Sequence, residues 1–240
     1  MNLIIDVGNT FTKLAVFKQN KLIYRERVKT STIRTKILQI NKEHKDIKMA
    51  IVSSVGKLDH KILEFLKSTL VLKILTHNTK IPFKNLYSTP KSLGIDRIAL
   101  VCASVAQFPD SNVLIIDAGT CITYDFINSK NHYLGGAISP GIRMRYVAMH
   151  NQTANLPLIE TEIPEHIIGH ATATSMHSGV VNGVVNEMDG FISQYKVEYQ
   201  DLTVILTGGD AKMLSKRLKS SIFANSNFLL EGLNFILNYN

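Results

Sequence analysis

Apolar and polar positions along the chain set out one pattern twice. It opens with Leu3-Ile4-Ile5, runs into Asp6-Val7-Gly8-Asn9-Thr10, and resumes at once with Leu14-Ala15-Val16-Phe17. Two short apolar runs split by small polar residues predict a β-hairpin with a tight turn. A third run completes strands at 2–7, 12–17 and 21–28. A helix at 32–43, a strand at 48–53, a helix at 58–68 and a strand at 71–75 follow. Within the second helix Ile62, Leu63, Phe65 and Leu66 recur at helical spacing. Between His77 and Lys91 the periodicity lapses around Pro82 and Pro90, which predicts a loop of about 15 residues, long enough to carry function. An apolar helix then runs to about Phe108, and Pro109-Asp110 marks a boundary.

Beyond that boundary the hairpin returns. Val113-Leu114-Ile115-Ile116 ends in Asp117-Ala118-Gly119-Thr120, and Cys121-Ile122-Thr123-Tyr124 leads back, giving strands within 112–127. A third strand at 132–138 meets Gly135-Gly136-Ala137-Ile138-Ser139-Pro140-Gly141. Helices at 142–151 and 172–196, a strand at 202–206, the turn Thr207-Gly208-Gly209-Asp210 and two short helices complete the chain. The last helix, Phe228 to Tyr239, spaces Leu229, Leu230, Leu233, Ile236 and Leu237 helically. Asp117 follows Asp6 at close to half of the 240 residues. A duplicated unit of this kind predicts two similar α/β halves, 1–109 and 110–240, facing each other across a cleft. Three antiparallel strands followed by alternating helix and strand make each half a mixed sheet flanked by helices.

Composition narrows the class. A hydrophobic fraction of 45% is that of a folded globular protein. No stretch approaches the roughly 18 apolar residues of a membrane helix. The chain enters a strand at its start, leaving no room for a signal peptide, so a cytoplasmic location is expected. The net charge of +8 raises the question of nucleic acid. The basic residues are dispersed, with modest clustering between Lys18 and Lys48, and form no nucleic-acid motif. No nucleic-acid partner and no membrane association are expected, and a basic surface suits anionic small substrates. Cys102 lies in the apolar helical run Ile98 to Ala103 and Cys121 has no pairing partner in sight, so both read as structural. His166 and His170 are four apart without a third ligand, and His177 has apolar neighbours; the histidines build no metal site.

The turns carry the candidate chemistry. Gly8 lets backbone N–H groups approach an anion, and Asn9, Thr10 and Lys13 supply donors and positive charge. Asp6, at a strand end, can hold a divalent cation directly or through water. One such turn reads equally as an ordinary hairpin; a second copy favours phosphate binding. In Gly94-Ile95-Asp96-Arg97, Asp96 offers a proton acceptor and Arg97 a planar fork for carboxylate or phosphate, an arrangement compatible with kinase chemistry. The same residues also suit a helix cap or a surface ion pair. Thr207-Gly208-Gly209, Gly135-Gly136 and Pro140-Gly141 are permissive turns at strand ends, where a ring or a phosphate can lie against backbone. Neither a Gly-x-Ser-x-Gly elbow nor a Walker-type loop is present.

Taken in order, these residues resemble the type III pantothenate kinases of the acetate and sugar kinase and actin superfamily. Asp6-Val7-Gly8-Asn9-Thr10 with Lys13 is similar to the family's first phosphate motif, and Asp117-Ala118-Gly119-Thr120 to its second. Tyr87-x-x-Pro90-x-x-Leu93-Gly94-x-Asp96-Arg97 resembles its substrate motif. Gly135-Gly136-x-Ile138-x-Pro140-Gly141, Asn155-Leu156-Pro157, Gly169-x-x-Thr172, Ser178-Gly179 and Glu231-Gly232-Leu233 extend the likeness along nearly the whole chain. The resemblance implies two ribonuclease H-like, actin-like ATPase halves and ATP-dependent phosphorylation of pantothenate, the first step towards coenzyme A. It implies Asp96 as proton acceptor, and Tyr87, Gly94, Ile95, Asp96, Arg97 and Thr172 as substrate-binding. Asp6, Val7, Gly8, Asn9, Thr10, Phe11, Thr12, Lys13 and Thr120 match the ATP-binding positions. Asp117 matches the ligand of a monovalent cation, K⁺ or NH₄⁺, and Mg²⁺ accompanies ATP, with Asp6 as its candidate partner. Thr172 matches a residue that reaches the neighbouring subunit's pocket, so a homodimer is implied. Ala118 and Ala171 depart from residues common in the family, and neither change removes a reacting group. Two other readings are a kinase of another small hydroxy acid and a nucleotide-binding regulator of the same fold. An intact Asp96-Arg97 pair argues against the regulator.

Overall fold

The repeated pattern becomes two sheets with the same connectivity. A computed structural model describes residues 1–8, 11–53 and 58–240, and packing divides them into two compact units. In the first, β1 (Asn2–Val7) and β2 (Phe11–Lys18) form the antiparallel hairpin, and β3 (Lys21–Lys29) pairs antiparallel with β2. β4 (Met49–Ser53) runs parallel to β1, and β5 (Val71–Ile74) parallel to β4. The order is β3-β2-β1-β4-β5. The parallel pairs need crossovers, which α1 (Ile33–Glu43) and α2 (His60–Thr69) provide. Alternation puts Leu3, Ile5, Val7, Leu14 and Val16 on one face, against Ile33, Ile37 and Ile40 of α1 and Ile62 and Leu66 of α2. Asp59 caps α2 by accepting from the Lys61 N–H at 3.0 Å.

The segment after β5 holds the two-residue β6 (Lys84–Asn85), a 3₁₀ turn at Pro90–Ser92 and then α3 (Ile95–Gln107). β7 (Asn112–Ala118), β8 (Cys121–Ile127) and β9 (His132–Pro140) repeat the antiparallel trio. α4 (Ile142–Gln152), α5 (Thr172–His177) and α6 (Gly183–Glu198) lead to β10 (Leu202–Thr207), parallel to β7. α7 (Ala211–Leu214) crosses to β11 (Phe223–Ala224). Within this unit the order β9-β8-β7-β10-β11 matches the first unit strand for strand. Even the register irregularities correspond, at Val16/Phe17 and at Phe126/Ile127. The core sets Leu114, Ile116, Tyr124 and Phe126 against Val180, Val184, Met188 and Ile192.

Two expectations are corrected. The last helix, α8 (Phe228–Tyr239), packs on β1, β4 and α3, so the first unit comprises Met1–Gln107 with Asn227–Asn240 and the second Phe108–Ser226. The expected division 1–109 and 110–240 followed chain order, whereas α8 follows its contacts. Gly232 lies so close to α3 that a Cβ there would stand 2.0 Å from the Ala99 carbonyl oxygen. Asn2 Nδ2 donates to the side-chain oxygens of Asn234 and Asn238, each at 2.8 Å, and Asn234 donates to the Gln19 carbonyl. This cover explains why β1 is buried on both faces and reads as a continuous apolar run. Secondly, the helix expected at 172–196 contains a π-helical turn, Ser178–Asn182, between α5 and α6. There the Ser178 hydroxyl donates to the Ile167 carbonyl at 2.5 Å and receives the Asn182 amide at 3.1 Å. Such turns interrupt the apolar period only locally, and the amphipathic pattern passes through them. Among the described residues, no helix is long and apolar enough to cross a membrane.

Candidate active site

Asp6 sits at the last turn of β1, 9% exposed, with its Oδ1 accepting from the Ser53 hydroxyl at 2.7 Å. Parallel register makes that contact, because Asp6 and Ser53 end neighbouring strands. Across the hairpin Asp6 faces Lys13, whose Nζ lies 3.7 Å from Oδ2. Oδ2 therefore keeps its hydrogen-bonding capacity for a hydrated Mg²⁺, and the oxygen donor set suits that ion. Gly8 closes the turn through an N–H bond to the Phe11 carbonyl at 3.1 Å. A Cβ on Gly8 would stand 2.8 Å from that oxygen. Phe11 carries the Arg27 guanidinium over its ring, 3.8 Å from the centroid. Val7 and Thr12 are buried on the core face, so any contact of theirs with a nucleotide falls to the backbone. Asn9 and Thr10 lie outside the described residues.

The second turn is braced differently. Gly119 N–H bonds the Cys121 carbonyl at 3.1 Å, and Gly141 N–H bonds the Thr120 carbonyl at 3.1 Å. Thr120 itself is exposed. Gly208 has φ +100°, and a Cβ there would meet the Ala118 carbonyl at 2.4 Å and Asp117 Oδ1 at 2.5 Å. The turn after β10 thus lies directly against Asp117, with the Asp210 N–H bonded to the Ala118 carbonyl at 3.0 Å. Burial holds the Asp210 carboxyl above its ordinary value. Half-buried Asp117 with backbone carbonyls around it offers the hard oxygen donors a K⁺ ion takes. Among the described residues no group of three or more His, Cys, Asp or Glu gathers, so each aspartate would meet a cation with water, backbone or phosphate as co-ligands.

Back in the first unit, α3 begins with Ile95, and Asp96 stands exposed in its first turn. Asp96 is not the cap; its Oδ1 accepts from the Arg97 N–H at 2.9 Å. A Cβ on Gly94 would lie 2.4 Å from that Oδ1, so glycine is what lets the carboxylate fold back. Arg97 is 5% exposed, with its guanidinium 5.7 Å from the centroid of the half-buried Tyr87 ring. Tyr87, Gly94, Ile95, Asp96 and Arg97 are thereby gathered at one helix start.

Thr172 opens α5, exposed, on the rim of an open groove of about 610 Å³ shared with Met149, Leu156, His170 and Met176. His177 is buried, sharing a 2.8 Å hydrogen bond through Nδ1 with the Tyr146 hydroxyl, as a structural histidine does. Cys102 is fully buried and burial pushes its thiol up, in keeping with a structural role. Sequence reasoning missed Ser53, which gains its place only through the β1–β4 register. It also missed a network on Glu187, which accepts from Tyr124 at 2.9 Å, Ser139 at 2.5 Å and Arg145. Burial by itself raises that carboxyl, but the bonds from Arg145, Ser139 and Tyr124 win and hold it below its ordinary value. Arg145 also donates to the Pro140 carbonyl at 2.9 Å, anchoring the residue beside Gly141. No local pattern marked Glu187.

Solved structures with this fold include a putative Baf family transcriptional activator from Campylobacter jejuni, with a TM-score of 0.61 at 20% identity over 99% of this chain and 98% of that one. A ROK family glucokinase from Streptomyces griseus, in complex with glucose and AMPPNP, aligns with a TM-score of 0.52 at 10% identity over 99% and 98%. Duplicated hairpin sheets with aspartate–glycine turns at their strand ends thus define an actin-like ATPase fold of the sugar kinase kind. Within that class the family model "Type III pantothenate kinase" matches residues 2–194. A type III pantothenate kinase from Christiangramia forsetii is 50% identical over 240 residues, covering 100% of this chain and 99% of that protein. The chain belongs to the type III pantothenate kinase family.

Proposed function

We propose that the protein transfers the γ-phosphoryl group of ATP to the primary hydroxyl of pantothenate, giving 4′-phosphopantothenate, the first committed intermediate towards coenzyme A. The observation that carries this reading is the family's substrate motif assembled at the start of α3, in a chain matched along its whole length. In it, Asp96 Oδ2 accepts the hydroxyl proton while Oδ1 stays tied to the helix N–H, and Arg97 pairs the pantothenate carboxylate beside Tyr87. The transition state is loose, so orientation and charge neutralisation do most of the work. Gly8 and Lys13 are the phosphate-holding groups of the first turn, and Thr120 is the candidate ATP contact of the second. Asp6 would hold the Mg²⁺ that accompanies ATP, which would supply charge neutralisation of the phosphates, and Asp117 would hold K⁺ or NH₄⁺.

A homodimer in a cytoplasmic location completes the proposal. Thr172 is exposed beside Ile167 and Ile168, which are 70% and 67% exposed, and such uncovered apolar side chains favour a partner subunit. ADP release with ATP, Mg²⁺, K⁺ and pantothenate, against the same mixture without pantothenate, tests the reading. Pantothenate-dependent release with phosphopantothenate found by mass is expected. Release with another hydroxy acid alone would redirect it to a different small-molecule kinase. Tight ATP binding without turnover would favour the nucleotide-binding regulator, the reading that the likeness to the Campylobacter fold keeps in view.

A further inference from the structure

We propose that Arg27, outside every motif recognised in the sequence, is a second phosphate-binding cation of the first turn. The inference rests on the reading that this turn holds the ATP phosphates. Register places it: Arg27 of β3 pairs with Lys13 of β2, which in turn pairs with Asp6 of β1. Strand alternation puts all three on the sheet face opposite the α1 and α2 core, at the end nearest Gly8. Lower on that face the sheet is covered, with Asn2 bonded to α8 and Arg25 donating to Asn227 at 2.5 Å. Arg27, one step nearer the turn, is exposed, and its guanidinium carbon lies over the Phe11 ring, 3.8 Å from the centroid. Neighbouring Glu26 points the other way and is taken by Lys36 and Tyr24.

That arrangement suits a polyphosphate. The ring contact restrains an exposed guanidinium, and a preorganised guanidinium fork binds phosphate oxygens in pairs. Asp6 at 3.7 Å partly neutralises Lys13, so Arg27 carries the less compensated positive charge at the turn. Phe11, whose carbonyl closes the turn on Gly8, thereby links turn geometry to the position of the arginine.

The test measures MgADP affinity by titration calorimetry and both Michaelis constants for wild type, Arg27→Ala, Arg27→Lys and Lys13→Met. Arg27→Ala is expected to weaken MgADP and raise KM for ATP about tenfold or more, the scale of a lost charge-assisted bond. KM for pantothenate should stay within about twofold on the same scale. Arg27→Lys should recover part of the loss, which a merely structural role would not show. Wild-type nucleotide affinity in both Arg27 variants, with Lys13→Met weakened, would overturn the inference and leave the turn assignment standing. Wild-type affinity in Lys13→Met as well would remove that assignment. A rise confined to KM for pantothenate would assign Arg27 to the other substrate and end the proposal.

Discussion

The first and second hairpin turns share a topology and differ in what stands across the strand from the aspartate. Asp6 faces Lys13, whereas Asp117 faces Thr123. The loop between the last paired residues is one position longer in the first hairpin, which pairs Val7 with Thr12, than in the second, which pairs Ala118 with Ile122. The first turn therefore carries its own cation, joined by Arg27, and suits an anion. The second places a neutral threonine opposite its carboxylate, with the Thr123 hydroxyl donating to Asp125 instead, and so has no cationic side chain at that register position. One duplicated scaffold thus offers complementary electrostatics at its two turns, through a single register partner and one inserted residue.

Predictions that strain this comparison run from the reacting group outward. Asp96→Asn, in the first unit, should lower kcat by roughly 10²–10⁴ with the fold intact, since the side chain is exposed. Turnover near wild type in a folded variant would take the proton acceptor away from this unit. Gly94→Ala should cut kcat by about tenfold at unchanged melting temperature, because its Cβ displaces the Asp96 carboxylate rather than backbone. Stability loss without a kcat effect would contradict it.

Thr123→Lys gives the second turn the lysine of the first. Stimulation by added K⁺ should disappear, as the ammonium occupies the charge the ion would supply; an unaltered K⁺ response would unseat Asp117 as its ligand. Glycine substitutions separate the braces. Gly208→Ala should cost about 1–3 kcal/mol by denaturant melting, from positive φ and the clash with the Ala118 carbonyl. Gly119→Ala, whose Cβ would rest 3.5 Å from the Cys121 carbonyl, should cost less, and the reverse ranking would refute the described geometry. The smallest effect concerns acid. Glu187 is held below its ordinary value of 4.5, so its contribution is full above that pH and is lost as pH falls through the lower folded value. Melting temperature should therefore fall less steeply with acid in Glu187→Gln than in wild type, and parallel curves would exclude the contribution.

Much of this was legible in the chain. The alternation in Leu3 to Phe17 and its echo in Val113 to Tyr124 announced both hairpins, because strand periodicity is local and survives any tertiary context. The substrate motif was legible because Gly94, Asp96 and Arg97 act within one helical turn. Ser53 and Arg27 were harder to see. Each gains its place only through register with a strand distant in sequence, and neither carries a local signature.

By itself, the sequence determined the two repeated sheets, the glycine turns, the family and the residues that meet at the start of α3. Tertiary structure alone decided that α8 covers the first sheet, that a π-turn divides the helix after Thr172, and that Gly141 and Gly208 brace the second turn. The physical reason is the same in each case. Apolar spacing shows that a face must be buried, but what buries it is settled by packing between segments far apart along the chain.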